Sequence, residues 1–367
     1  MKLGDYCAVN IDTYSKNEEW PAIHYLDTSS VTEGEFDKSQ ILIPGKDKIP
    51  SRARRKVQVG DILFSTVRPN QRHYGIIKGD TDTKSLLVST GFAVLSVDRT
   101  VADPNFVYYY LTQDVITESL QSIAEQSTSA YPSIKSSDLE NLDVYFPGLE
   151  AQRKISSVLK SIDGKISLNK KVNDNLQQQA QAIYFSMFID NADPAWQRGH
   201  LSDLVIVRYG KDHKKLANGI YPVYGSGGIM RHVERPLYDK ESVLIPRKGT
   251  LNNVMYVNQP FWSVDTMFYT EMRLPNVAKF VYHFVKAKDL ASMNAGSAVP
   301  SMTTDILNAM EVAIPPASVL EEFESLVAPM YRAMQENDAQ SKKLADLRDT
   351  LLPKLISGEI DVSGIQL

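Results

Sequence analysis

The chain has 367 residues, too many for one small domain, and its 43% hydrophobic and 23% charged content suits soluble cores. No apolar run approaches the ~18 residues of a membrane span, and Met1-Lys2-Leu3-Gly4-Asp5 lacks the apolar stretch of a secretory signal. The single cysteine, Cys7, excludes an internal disulfide and points to a reducing, cytoplasmic setting. The net charge of −4 argues mildly against a nucleic-acid partner, yet the charge is unevenly spread. Lys46 to Asp80 carries nine bases against three acids, and Arg198 to Lys248 ten against five, whereas Ala317 to Leu367 has nine acids against five bases. Two basic zones in an acidic chain mark two anionic contact surfaces, or else ordinary variation of surface charge.

In chain order, the short apolar, β-branched stretch Asp61 to Val67 predicts a strand, as does Leu86 to Val97, and a helix is expected around Asn105 to Ser119. After Pro132-Ser133-Ile134 the apolar positions Leu139, Leu142 and Val144 lead to Pro147. The period then changes to three-four spacing: Ile155, Val158/Leu159, Ile162, Ile166, Val172, Leu176, Ile183. The second half repeats the order. Strands are predicted at Ser242 to Ile245 and Val254 to Val257, a helix at Val277 to Leu290, then Pro300-Ser301-Met302 and Leu307, Met310, Val312, Pro315. A second long stripe follows at Phe323, Leu326/Val327, Met330, Met334, Leu344, Leu347, Leu351 and Leu355.

From Pro132/Pro300 to Pro147/Pro315 the paired positions keep one offset, 168 residues. Phe106-Val107-Tyr108 matches Phe280-Val281-Tyr282, Gly91 to Leu95 matches Asp265 to Tyr269, and Leu3-Gly4-Asp5 pairs with Leu201-Ser202-Asp203. An ordered series with near-constant offsets is a domain duplication, with halves at 1–190 and 195–367; the period is too long for a solenoid. The expected fold class is α+β: two homologous mixed domains, mostly antiparallel strands with a few helices, each followed by a long helix. At ~1.5 Å per residue each of these helices would run roughly 60 Å. Gly164 and Pro329 are candidate kinks. The two helices are expected to form an antiparallel intramolecular coiled coil, an intermolecular zipper being the alternative, with Asn169 and Asn337 interrupting both stripes at the same place and setting register if they face the seam.

Leu149-Glu150-Ala151-Gln152-Arg153-Lys154-Ile155, Leu168-Asn169-Lys170-Lys171, Leu176 to Phe188, and Leu347 to Glu359 together resemble the two spacer regions of the specificity subunit of type I restriction-modification systems. Gly60 to Asn70 is similar to one common type of target-recognition domain; Tyr221 to Gly228 followed by Arg247 to Asn253 is similar to another. The resemblance spans essentially the whole chain. It implies target-recognition domain 1 at 1–147, a central spacer helix at 148–190, domain 2 at 191–315 and a C-terminal spacer helix at 316–367. It also implies that each domain reads half of a bipartite site in double-stranded DNA. The helices would then set the gap and dock two methyltransferase subunits, to which restriction subunits add where present. Adenine methylation from S-adenosylmethionine, and translocation with ATP and Mg, would belong to those partners, with no cofactor in this chain. The rival reading is a scaffold that holds protein partners through its helices and carries degenerate DNA domains.

No catalytic constellation is expected. The chain lacks the Asp/Asn-Pro-Pro-aromatic motif of an amino-methyltransferase and a G-x-x-x-x-G-K-[ST] phosphate loop. Gly225-Ser226-Gly227-Gly228 reads as a tight backbone turn, and six scattered histidines give no metal-ligand spacing. Base edges are read by arginine for guanine and by asparagine or glutamine for adenine. That chemistry singles out Arg68, Asn70, Gln71, Arg72 and His73 just after a strand, and Arg247, Lys248, Thr250, Asn252 and Asn253 in the comparable place, although a solvated hairpin tip has the same composition. Tyr224 and Ser226 of the glycine-rich segment join them. Thr128, Ser129 and Tyr131 before Pro132, and Ser297 before Pro300, either approach phosphates and bases or form a helix-capping loop. Arg52, Arg54, Arg55 and Lys56 suit phosphates better than bases. Tyr108, Tyr109 and Tyr110 read as core.

Overall fold

A computed structural model describes residues 1–15, 17–127, 131–293 and 301–365. It divides into two compact units: Met1–Leu168 with Gln340–Leu367, and Asn169–Ala339.

The first unit is built on a four-stranded antiparallel sheet in the spatial order Cys7–Val9, Phe92–Val97, Ile62–Ser65, Tyr74–Ile76. The second unit repeats that order with Val205–Tyr209, Met267–Met272, Ser242–Pro246 and Met255–Val257. The correspondence extends to a second layer. Ile23–Leu26 runs parallel to Leu86–Ser89 in one unit, and Asn218–Gly225 parallel to Trp262–Ser263 in the other. The central strands Ile62–Ser65 and Ser242–Pro246 are buried at every position, which accounts for their largely apolar character.

The repeated Leu-x-Asp is a capping device. Asp5 accepts the Lys2 amide at 2.8 Å, and Asp203 accepts the His200 amide at 2.8 Å, each closing a single tight turn. Leu3 and Leu201, the leucines of that motif, are fully buried, and their amides donate to the carbonyls of Leu142 and Met310. These are again positions 168 residues apart.

The expected helix over Asn105 to Ser119 is two helices, Pro104–Leu111 and Asp114–Glu125. Thr112 and Gln113 turn their side chains back onto the carbonyls of Tyr109 and Tyr110 and so end the first helix. Leu86 to Val97 is likewise two strands, divided at the turn Thr90–Gly91, where the Gly91 amide donates to the Ser89 hydroxyl. The second unit's counterpart helix is Ala278–Lys286.

The long helices are Leu149–Phe185 and Ala317–Ile356, and neither breaks at Gly164, Pro329 or Pro353. Pro329 is carried by its flanks: Val327 and Tyr331 are buried in the second unit's core. Within the first unit Ile155 and Leu159 meet Leu352 and Leu355, and Arg348 reaches Asp163 at 2.9 Å. Within the second unit Ala180 and Tyr184 share a cluster with Leu320, Phe323, Val327 and Tyr331. Residue numbers rise along one helix as they fall along the other, so the segments pair antiparallel within each unit. The stripe is narrower than the sequence pattern: Val172, Leu326 and Leu347 are exposed.

Asn169 does face the seam. It is 2% exposed, and its Nδ2 donates to the Asn337 carbonyl at 3.3 Å. Asn337 Nδ2 donates in turn to Asn173 Oδ1, and Asn173 Nδ2 to Asp338 Oδ1. Such a polar knot satisfies itself only in one register.

Two further buried groups have chemical consequences. The Cys7 thiol, donating to the Leu3 carbonyl at 3.5 Å, is pushed up to about 12 by burial and by the Glu140 carboxylate. The His283 imidazole is pushed down to about 4 by burial between Tyr184 and Phe323, with Tyr331 hydrogen-bonded to its Nε2 at 2.9 Å. In the unfolded chain that ring protonates near its ordinary 6.5. The unfolded state therefore binds more protons between those two values, and stability falls as pH falls through the window. Urea melts between pH 6.5 and 4 should show about 3 kcal/mol lost to this residue, and His283→Gln should flatten that part of the curve.

Candidate nucleic-acid interface

In each unit the chain leaves its central strand into a loop that a second segment clamps. In the first, the Ile134 amide donates to the Thr66 carbonyl and the Arg68 amide to the Pro132 carbonyl, both at 2.9 Å. In the second, the Met302 amide donates to the Arg247 carbonyl at 2.9 Å, and Lys248 pairs with Ser301. The loops rich in arginine and asparagine and the Pro-Ser segments, picked out separately from the sequence, are thus brought together twice.

The first loop is braced at both ends. Arg68 and Arg72 lie in the left-handed region, with φ of 48° and 56°, on either side of a 3-10 turn Pro69–Gln71. A non-glycine residue there costs about 1 kcal/mol, so the surroundings must hold it. They do: Arg72 pairs with Asp114 at 2.6 Å and reaches Glu33 at 3.7 Å, while His73 is bound to the Val31 carbonyl and the Thr32 hydroxyl. The Asp114 carboxylate holds the Arg72 guanidinium well above its usual range. Arg72 and His73 are therefore struts. Asn70 and Gln71 form the exposed tip, where the Asn70 amide donates to Gln121. Arg68 lies over the ring of Tyr131, 4.9 Å from its centroid.

The second loop is tied to the glycine-rich hairpin, whose turn Ser226–Gly227 is the tight backbone turn that the glycines predict. Asn253 Nδ2 donates to the Ser226 carbonyl at 2.8 Å. Gly249 has φ +84°, and a Cβ there would fall 2.5 Å from the Ser226 hydroxyl. Asn252 is bound to Asp289 and to the Ala291 amide. Lys248 and Thr250 are exposed. Tyr224 lies in the apolar cluster around Phe261, 9% exposed, with its hydroxyl accepting from Gln259, so its ring packs the core and is not offered to a ligand.

The basic run is a strand, Ala53–Lys56, so its cations do not share one face. Arg52 and Arg54 are exposed. Arg55 is half-buried, with a long contact to Thr13, and burial lowers its basicity. Lys56 is spent inside the unit, on Glu18 at 2.7 Å and Asp12 at 3.5 Å. Thr128, Ser129 and Ser297, together with Pro300, lie outside the described residues. Tyr109 is core, as expected, and donates to Asp163 at 2.6 Å.

One residue was invisible to sequence reasoning. Tyr209 ends the strand Val205–Tyr209, is 52% exposed, and carries the Arg247 guanidinium 5.4 Å from its ring centroid. Its only sequence signal is an aromatic placed just before Gly210.

Comparison with known proteins identifies the family. The family model for the type I restriction modification DNA specificity domain matches residues 1–178 and 195–322, so the chain belongs to that family and carries its domain twice. It is similar to the type I restriction enzyme HindI specificity subunit of Haemophilus influenzae, 21% identical with 98% of each chain covered. It is also similar to the MjaIX specificity subunit of Methanocaldococcus jannaschii, 24% identical over 76% of this chain and 74% of that one. The fold is that of the type I restriction-modification S subunit from M. genitalium, with a TM-score of 0.59, 17% identity, and 97% and 95% of the chains covered.

If the hairpin lock holds the second loop, Gly249→Ala should cost about 1–2 kcal/mol in a thermal melt and speed amide exchange across 249–253. Unchanged exchange would show the loop to be held elsewhere.

Proposed function

We propose that this chain is the DNA-reading subunit of a type I restriction-modification complex, each unit reading one half of a bipartite site in double-stranded DNA. The observation that carries the proposal is the repetition: one α+β unit occurs twice, each time with a clamped, cation-bearing loop at the end of its central strand. A protein needing one recognition surface has no use for two, and a split target does.

The long helices act in this reading as the spacer between the half-sites and as the dock for two methyltransferase subunits, with restriction subunits joining where the system cleaves. The chain itself binds and positions and does no chemistry. S-adenosylmethionine, ATP and Mg serve the partners. Exposed cations such as Arg52, Arg54 and Lys248 supply the sequence-independent part of binding through phosphates, which makes affinity fall steeply with salt. The setting is the cytoplasm; among the described residues no helix is long and apolar enough to cross a membrane.

The test is selection of duplexes from a random library by the chain assembled with its methyltransferase subunits. Two short motifs at fixed spacing are expected. Binding without any enriched motif would leave the scaffold reading instead. Inserting one heptad after Lys171 and after Ala339 should lengthen the gap and leave both motifs unaltered; an unchanged gap would show that the helices do not measure it. Exchanging residues 1–146 for another recognition domain should change one motif only.

A further inference from the structure

In each unit an arginine at the exit of the central strand lies over an exposed tyrosine. Arg68 Cζ is 4.9 Å from the centroid of Tyr131, which is 59% exposed; Arg247 Cζ is 5.4 Å from that of Tyr209, which is 52% exposed. The two arginines leave the strand at nearly the same place, Arg68 three residues and Arg247 one residue after its end. The tyrosines have no such kinship. Tyr131 precedes Pro132, whereas Tyr209 ends a strand whose counterpart in the first unit, Cys7–Val9, leads into Asn10. One side-chain pair has been assembled twice by different routes.

Both arginines are fixed at the backbone. The Arg68 amide is bound to the Pro132 carbonyl, in the segment that carries Tyr131. The Arg247 amide donates to the Thr266 carbonyl and its carbonyl accepts from Met302. Tyr209 is steadied from behind by Phe268, 5.0 Å between ring centroids. Among the described residues neither guanidinium pairs with a carboxylate, unlike Arg72, Arg208 and Arg348. Arg247 spends one Nη1 bond on the Asp265 carbonyl at 3.3 Å and keeps its other donors. A guanidinium held at a ring by cation–π attraction forms no hydrogen bond with it, so its N–H donors stay available for other partners.

We propose that Arg68 and Arg247 each read a guanine from the major groove, one in each half-site, with Tyr131 and Tyr209 as positioning residues that hold the guanidinium plane. This rests on the DNA-reading function proposed above. A phosphate accepts a cation from many directions and needs no such bracing. A planar fork of parallel donors braced against a ring fits a planar pair of acceptors, and guanine O6 and N7 are that pair, whereas adenine sets a donor beside its N7.

The experiment compares the wild-type complex with R68A, R68K, R247A, R247K, Y131L and Y209L by duplex selection and by affinity over a salt series, with melting temperatures checking the fold. The wild type should select a guanine in each half-site. Both Arg68 variants should erase one guanine preference in one half, lowering cognate affinity about tenfold or more, and both Arg247 variants should do so in the other half. Lysine failing alongside alanine would show that geometry, not charge, is read. Each tyrosine variant should blunt the same position while leaving the salt slope unchanged. Uniform weakening across all sequences, with a salt slope lower by about one, would make these arginines phosphate contacts and overturn the inference. So would a bipartite motif that survives R68A and R247A intact. No motif from the wild type would defeat the DNA-reading function itself, and this inference with it.

Discussion

A long helix in water must cover its apolar stripe, and in each unit a short aromatic-bearing helix does so. Phe106 shares a buried cluster with Ile155 and Leu159, and Phe280 packs against Tyr184 and Phe188. Both phenylalanines belong to the repeated Phe-Val-Tyr, and both are almost completely buried, at 0% and 2% exposed. Burying such a side chain yields on the order of 2–3 kcal/mol, and the same helices border the sheets whose ends carry the loops. Removing that contact would leave the helix stripe wet and the sheet uncovered on one side. The remainder of each unit depends on it.

Around that contact the units spend charge differently. The first fixes its helices with Arg348 and Asp163, both partly open to solvent, and with the buried Tyr109. The second buries Lys279, 3% exposed, between Glu241 at 3.0 Å and Glu324 at 2.7 Å, with the rings of Tyr256 and Tyr331 beside it. A lone buried ammonium would be untenable; two carboxylates and two aromatic faces make it a strut. After duplication the capping aspartates and apolar anchors persisted, while polar detail and loops diverged. That is the expected course where packing constrains one set of residues and ligand chemistry another.

Much of this was legible in the sequence. The duplication, the repeated Leu-x-Asp, both long helices and the Asn169–Asn337 interruption follow from spacing, because period is a local property, whereas the capping role of the two aspartates emerges only in the structure. The break at Thr112–Gln113 was not, since side chains there cap a helix without any proline or glycine to announce it. Continuity through Pro329 escaped for the opposite reason: tertiary packing of Val327 and Tyr331 overrides a local breaker. Among the site candidates, composition named loops that the fold braces beside the Pro-Ser segments, but it could not apportion their residues. Lys56 and Tyr224 look like ligands in one dimension, but in three Lys56 is paired with Glu18 and Tyr224 packs in the core. The pairing of Arg247 with Tyr209 joins residues 38 positions apart, and no local pattern encodes it.

The left-handed arginines of the first loop carry one more implication. A turn that holds Arg68 and Arg72 at positive φ has met its conformational cost before any ligand arrives. It gains little from settling onto a correct partner and has little freedom to remodel around an incorrect one. If it reads DNA as proposed above, its response to substituted targets should be steeper than that of a loop free to remodel. A looser loop would grade its answer and give a family of tolerated targets; a turn braced in this way is built to be a gauge with a single setting.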